Sequence, residues 1–297
     1  MKLALSAPSD RSLLKAPLFW AGALMLALVP LLAAAAGLDE RTLFGRSPWD
    51  KPLRFALSLG VYAVTMAMAA HWLLARSRVP GWRWLSPLVL GALVFEMGWI
   101  LVQAARGVDS HFNDRTTFED LMFGLMGLGA GVLSLGALWL GLVASRLTLT
   151  AIEINDRVIA LGIALGFVGT GLLLPWTGEA LVDAGRSQSA FEASSSVPLL
   201  GWRLDGSDPR PAHFVAAHLM QALPLVAAAL ARVNQSRRRA AAVGVLLTVA
   251  ATGVLLTLWL MPWMANPAPA LGFRSAFASG GCPPDATSPA SRRSGSE

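Results

Sequence analysis

The chain has 297 residues, of which 55% are apolar and only 14% are charged, and its net charge is +6. Soluble globular domains carry about 25% charged residues, so this composition excludes an ordinary soluble domain. The positive charge does not indicate a nucleic-acid partner, because no basic stripe with interleaved aromatic residues occurs. The single cysteine, Cys282, excludes an internal disulfide and any CxxC metal or redox motif.

Uncharged runs of about 20 residues, long enough to cross ~30 Å of hydrocarbon, alternate with short clusters of charge. The runs lack the period-two alternation of barrel strands, so they predict helices. The predicted fold is all-α, a polytopic transmembrane helix bundle in the lipid bilayer. Its seven spans are predicted at about 17–36, 52–75, 84–106, 118–144, 156–176, 212–232 and 239–263.

Both ends of the chain lie outside this predicted transmembrane domain, which covers 17–263. Residues 1–16 are a predicted cytoplasmic segment. The first apolar run ends in LLAAAAG, which a signal peptidase accepts, but a run of about 20 residues exceeds the usual 7–15 of a signal peptide. We therefore expect a retained helix. Residues 264–297, rich in Pro, Ser, Gly and Ala, are a predicted disordered tail.

The distribution of Lys and Arg predicts the orientation of the bundle. With the N-terminus inside, 12 of the 24 Lys and Arg residues fall in short inner segments, and the other 12 are spread over much longer outer loops and the tail. Of the 18 acidic residues, 3 lie inside and 14 outside. Short cytoplasmic connections favour Lys and Arg, so we expect an N-in/C-out orientation.

Glu96 lies near the middle of the third predicted span. An ionised carboxylate at the bilayer centre costs at least ~2.5 kcal/mol, so a glutamate there indicates function. Gln103, seven residues later, shares its helix face. Arg106, His111 and Asn113 continue the polarity outwards in the stretch QAARGVDSHFND (103–114). The alternative is a protonated Glu96 that is hydrogen-bonded between helices and serves only packing.

Three histidines on the predicted outer side, His111, His213 and His218, are candidate ligands of haem or a divalent metal. His213 and His218 are five residues apart, which is about 140° around a helix, so only one of them could pair with His111. His218 and Gln221 do share a face, and Pro224 is expected to kink the same helix. For each histidine, a hydrogen bond at a helix end is the competing interpretation.

Glycines in the fourth predicted span have the spacing of a membrane helix contact. Gly127 and Gly131 stand four residues apart in FGLMGLGAGVLSLG. Small residues at this interval let two backbones approach closely. The sequence therefore predicts a helix–helix contact on this face.

Three segments together carry a resemblance: WDKPLRFALS (49–58), EMGWILVQAARGVDSHFND (96–114) and GWRLDGSDPRPAHFVAAHLMQALP (201–224). They resemble a family of bacterial multi-pass membrane proteins without an assigned activity, over about 45–263 of the chain. The resemblance implies an inner-membrane protein of about seven spans. It implies no catalytic residue.

Three functions fit these patterns. The first is a protein that holds a small-molecule or lipid-soluble ligand, or a metal or haem, in a polar site in the outer half of the bundle; whether it is an enzyme stays open. The second is a proton-coupled transporter or membrane sensor that uses Glu96. The third is a non-catalytic assembly or partner subunit. The candidate ligand-binding residues are Glu96, Gln103, Arg106, His111, Asn113, His213, His218 and Gln221.

Overall fold

The computed structural model describes residues 13–43, 45–111, 113, 115–186, 202, 208–232 and 236–261, and it gives the backbone alone for 182–186 and 236–242. The predicted tail (264–297) lies wholly outside these residues. The predicted cytoplasmic segment (1–16) lies mostly outside them.

Seven α-helices follow one another through the described residues, without a strand. They are α1 Pro17–Leu38, α2 Asp50–Leu74, α3 Trp82–Arg106, α4 Thr117–Thr150, α5 Ile154–Arg186, α6 Arg210–Ala231 and α7 Ser236–Trp259. The all-helical prediction is confirmed for these residues. Six helices, α1 to α6, are long and apolar enough to cross a membrane. In α7 the apolar part is the shorter stretch Val243–Trp259.

Helices α4 and α5 are longer than the predicted spans 118–144 and 156–176. They have 34 and 33 residues. At 1.5 Å per residue, 34 residues measure about 51 Å, against ~30 Å of hydrocarbon. Helix α4 continues past its apolar run because Leu147 and the residue that caps the helix, Ala151, are still buried in the core of the bundle.

The outward faces of the helices carry large apolar side chains. Leu24 and Leu31 of α1 are 63% and 65% exposed, and Leu128 and Leu135 of α4 are 68% and 61% exposed. Apolar surface of this kind is favourable against lipid and unfavourable against water. Together with the six long apolar helices, it indicates a membrane-embedded protein.

Glycines allow close packing of α1 on α2 and of α4 on α5. A Cβ atom on Gly22 would lie 2.8 Å from the Gly60 carbonyl oxygen. A Cβ atom on Gly141 would lie 2.7 Å from the Val168 nitrogen, and one on Gly171 would lie 2.8 Å from the Leu138 nitrogen. Because backbone atoms occupy these positions, a larger residue would force the helices apart.

The contact between α5 and α6 combines two glycines with a threonine at four-residue spacing. A Cβ atom on Gly162 would lie 2.8 Å from the Leu223 carbonyl oxygen, and one on Gly166 would lie 2.6 Å from that of Leu219. One turn further, the Thr170 hydroxyl donates to the Ala216 carbonyl at 2.8 Å and accepts from the Met220 N–H at 3.1 Å. The Thr170 hydroxyl therefore joins both ends of one intrahelical bond of α6.

The predicted contact at Gly127 and Gly131 is wrong. A Cβ atom on either residue would meet no atom of the described residues within 4 Å, so this glycine face looks away from the described bundle. The four-residue spacing is compatible with a contact, but it does not determine which face of α4 turns inwards. Gly129 and Gly136 occupy the inward face instead.

Candidate functional site

Glu96 lies inside the bundle, ten residues before the end of α3, which is about 15 Å along the helix axis. It is only 5% exposed. Its Oε1 atom is buried and has no hydrogen-bond partner in the described part of the chain. The packing interpretation requires the carboxyl group to join two helices by hydrogen bonds, and Oε1 forms none with the described residues.

Gly129 of α4 provides the space for this carboxyl group. A Cβ atom on Gly129 would lie 2.7 Å from Glu96 Oε1, closer than a carbon–oxygen contact allows. No Cβ of a larger residue fits there unless the carboxyl moves. The position of Glu96 thus depends on a residue of the neighbouring helix that the sequence pattern did not single out.

The hydroxyl groups of Tyr62 and Ser134, which lie near Gly129 along α4, each donate a hydrogen bond to a backbone carbonyl. Tyr62 of α2, the single tyrosine of the chain, donates to the Leu133 carbonyl at 2.6 Å, about 6 Å along α4 from Gly129. Ser134 donates to the Ala130 carbonyl at 3.0 Å. Each hydroxyl has one proton, so neither has a second to offer to Glu96.

Gln103 and Arg106 have partners in the connection between α3 and α4. The Gln103 side chain is fully buried, and its Nε2 donates to the Asp109 carbonyl at 3.2 Å. Arg106 donates to Gln103 Oε1 and pairs with Glu119 of α4 at 3.0 Å. These contacts fasten the end of α3 to the start of α4. They give both residues a structural role, whereas the sequence analysis placed them in a ligand site.

Asn113 also stabilises this connection. Its Nδ2 donates to the Asp109 carbonyl at 3.2 Å, and its Oδ1 accepts from the Arg115 N–H at 3.3 Å. The Asp109 carboxylate pairs with Lys51 of α2 at 3.4 Å. The described residues of the 103–114 stretch thus form a hydrogen-bonded connection that ties α2, α3 and α4 together.

His111 lies between aromatic rings of α2 and α4. Its ring centroid is 5.8 Å from that of Phe55 and 5.7 Å from that of Phe123, and Nδ1 is 3.0 Å from the Ser110 hydroxyl. Burial lowers the pKa of His111 well below its ordinary value of 6.5, and the positive charge of Lys51 lowers it further. The imidazole is therefore neutral in the folded protein at neutral pH.

The depressed pKa of His111 predicts that the protein loses stability in mild acid. Below about pH 6.5 the unfolded chain binds a proton at this residue and the folded chain does not, so stability falls with pH until the folded pKa is reached. The slope for one group is at most about 1.4 kcal/mol per pH unit. We expect His111→Gln to reduce the loss of thermal stability between pH 7 and pH 5. Equal pH dependence in both proteins would contradict the prediction.

His213 of α6 contacts α5. Its Nδ1 is 3.1 Å from the Thr177 hydroxyl, which also lies 2.9 Å from the Leu173 carbonyl. If the single hydroxyl proton goes to Leu173, Thr177 accepts from Nδ1–H and Nε2 is the acceptor nitrogen of the ring. The helix-end hydrogen bond, which was the competing interpretation, thus describes His213.

His218 and Gln221 lie one turn apart on α6, as their spacing predicts. The His218 ring centroid is 4.2 Å from that of Phe214, which in turn contacts Trp202. Gln221 Oε1 is buried and has no hydrogen-bond partner among the described residues. The His218 ring lies close enough to the Gln221 side chain for a polar interaction, so this acceptor has a polar neighbour on its own helix.

The candidate metal ligands His111, His213 and His218 do not form a cluster. Within the described ranges, no three His, Cys, Asp or Glu side chains are placed to hold a metal ion. No hydrogen bond, ion pair or ring contact between described residues joins the 103–114 stretch to α6. The haem or metal interpretation thus gains no support from these positions.

Comparisons with family models, with curated proteins and with solved structures gave no match for this chain. The resemblance to a bacterial membrane family stays a prediction. The class of the protein is therefore defined by the architecture of its described residues, an all-helical bundle in which six helices are long and apolar enough to cross a membrane.

Sequence reasoning missed several residues that shape the site. No pattern in the sequence indicated Gly129, because a single glycine among many does not show which face of its helix is buried. Glu119 did have a signal, since Thr116 and Glu119 form the T-x-x-E pattern of a capping box. In the structure the Thr116 hydroxyl accepts from the Glu119 N–H at 3.2 Å and begins α4.

Proposed function

We propose that this chain is an integral membrane protein in which Glu96 binds and releases a proton, as part of a proton-coupled transporter or a membrane sensor. The observation that carries the proposal is the buried Oε1 atom of Glu96 without a hydrogen-bond partner. A buried carboxylate oxygen without a donor is strongly destabilising, and binding a proton removes its charge.

The surroundings of the carboxyl group favour a small occupant. Oε1 lies against the backbone of α4 at Gly129, where even one added carbon atom would be too close. A proton needs no additional volume. A haem or an organic ligand would require α3 and α4 to separate at this level.

The other functions considered from the sequence have less support. The ligand-holding site needed Gln103, Arg106 and Asn113 to face a common space, yet their polar groups are bonded within the α3–α4 connection. An assembly subunit would explain polar connections between helices. It gives no reason for a carboxylate in the middle of α3.

The proposal includes the topology and location that the sequence predicts. We place the chain in a bacterial inner membrane with its N-terminus in the cytoplasm and seven spans. The excess of cations over acids in the short connections supports this orientation. Glu96 then lies between the two water-filled compartments whose proton concentrations differ.

Infrared difference spectroscopy of Glu96→Gln tests the proposal. We expect the wild-type protein to show a carbonyl band of a protonated carboxylic acid that appears and disappears with pH, and the variant to lack it. Glu119→Gln is the matched control, because Glu119 is also a buried carboxyl group but is paired with Arg106. The band should persist in that control.

Two outcomes would overturn the proposal. A wild-type band that does not change with pH would return Glu96 to the packing interpretation, and a pH-dependent band retained in Glu96→Gln would assign the proton to another group.

Proton flux into liposomes that contain a pH-sensitive dye then distinguishes a transporter from a sensor. Flux that depends on Glu96 favours a transporter, and a titrating Glu96 without flux favours a sensor.

A further inference from the structure

A groove lies between the end of α2 and the start of α3. It has a volume of about 380 Å³ and is lined by Leu74, Val79, Gly81, Trp82 and Arg83. The lining is mainly apolar, with one exposed guanidinium group at its side. Because α2 and α3 are both long enough to span a membrane, a groove at their junction lies at the boundary between hydrocarbon and water.

The connection that forms the groove is held in place by α4. The Trp139 indole N–H donates to the Pro80 carbonyl at 2.8 Å. Gly81 follows with φ at +71°, a left-handed conformation that favours glycine, and α3 begins at the next residue. The groove is therefore a fixed feature of the bundle.

The charges at the two ends of the bundle are balanced differently. The end at which α3 meets α4 has five ion pairs among the described residues, Asp39–Arg41, Lys51–Asp109, Arg54–Asp50, Arg106–Glu119 and Arg210–Asp208. At the groove end the described residues form one, Arg76–Asp156. Arg78 and Arg83 are both exposed, and neither forms an ion pair with a described acidic residue. The positive charge beside the groove is thus not neutralised by described side chains.

Aromatic rings accompany these arginines. The Arg83 guanidinium lies 4.7 Å from the centroid of the Trp84 ring, and that of Arg76 lies 4.2 Å from the Trp72 ring. Tryptophan and arginine together are typical of the level of lipid headgroups. Stacking on a ring leaves the edge N–H groups of Arg83 available to a phosphate oxygen.

We propose that this groove binds an anionic phospholipid. One acyl chain lies against Leu74, Val79 and Trp82, and the phosphate accepts hydrogen bonds from Arg83. Arg78, next to Val79 in the same connection, adds attraction for the anionic headgroup. The inference rests on charge and shape at one end of the bundle and does not depend on the role of Glu96.

Lipid binding to the full chain, measured by native mass spectrometry in an uncharged detergent, tests the proposal. The probes are phosphatidylglycerol and phosphatidylcholine with the same acyl chains. We expect tighter binding of phosphatidylglycerol, about fivefold weaker binding in Arg83→Gln and about 25-fold weaker binding in a variant that also has Arg78→Gln. The control is Arg115→Gln, which removes an exposed arginine at the other end and should leave the affinity unchanged.

Three results would overturn the proposal: equal affinity for the two lipids, an unchanged affinity in Arg83→Gln, or an equal loss in Arg115→Gln. Inorganic phosphate serves as a competitor. Displacement of the lipid by millimolar phosphate would show a site for free anions, whereas resistance to phosphate supports recognition of the whole lipid.

Discussion

Replacing Gly166 by valine is expected to lower the stability of the bundle by about 3 kcal/mol, at the upper end of the usual cost of overpacking. A Cβ atom at this position would lie 2.6 Å from the Leu219 carbonyl oxygen and 3.1 Å from the Met220 Cα. Both are backbone atoms of α6, so no change of rotamer relieves the clash. The helices must separate, and the two hydrogen bonds of Thr170 lengthen with them.

The measurement is thermal unfolding in one detergent, where 3 kcal/mol corresponds to a fall in Tm of about 10 °C. Gly131→Val is the matched control, because its Cβ would meet nothing within 4 Å. We expect the control to keep the wild-type Tm within about 2 °C, as surface substitutions usually do. Similar losses in the two variants would show that the α5–α6 contact does not determine the effect.

The second large effect is expected at Gly129, and it concerns function more than stability. In Gly129→Val the new side chain takes the position of Glu96 Oε1, which is the end of a flexible side chain and can move. We expect a loss of stability of about 1 kcal/mol, at the lower end of the usual cost of overpacking, because the side chain that must yield is flexible. The pH-dependent acid band and any Glu96-dependent flux should fall at least about tenfold, which corresponds to 1.4 kcal/mol at the carboxyl group.

Gly127→Val provides the comparison, since it adds the same side chain two residues away on the open face of α4. It should behave as the wild-type protein in both assays. If Gly129→Val titrates normally, the exact position of the carboxyl does not matter for proton binding. The role assigned to Gly129 would then be wrong.

Hydropathy predicts the helices well because lipid imposes a simple rule on the backbone. Every apolar run of about 20 residues must satisfy its own hydrogen bonds. Each of the seven predicted runs falls on a helix of the described residues, and six of these helices are long and apolar enough to cross a membrane. The ends are less predictable. Helix α4 continues beyond its apolar run because Leu147 is still buried in the core. In α5, Thr177 directly after the predicted span is buried as well.

The sequence predicts the candidate site only where the environment of a residue follows from its own position in the chain. Burial of Glu96 follows from its place in an apolar run, without knowledge of its neighbours. Whether His111, His213 and His218 lie close together depends on how several helices are rotated relative to one another. Residue spacing in the sequence does not determine those rotations. The wrong prediction at Gly127 and Gly131 has the same origin. A four-residue interval places two residues on one face of a helix, but it does not show whether that face turns towards the bundle.

The Thr170 hydroxyl between Ala216 and Met220 has a consequence for how the protein enters the membrane. Pro224 has no N–H to offer to the Met220 carbonyl, so α6 lacks one regular backbone hydrogen bond directly after the Ala216–Met220 pair that Thr170 bridges. An incomplete backbone hydrogen bond in hydrocarbon costs several kcal/mol. We therefore expect α6 to insert less favourably on its own than a helix without an internal proline, and we expect contact with α5, which adds the Thr170 hydroxyl, to favour its insertion.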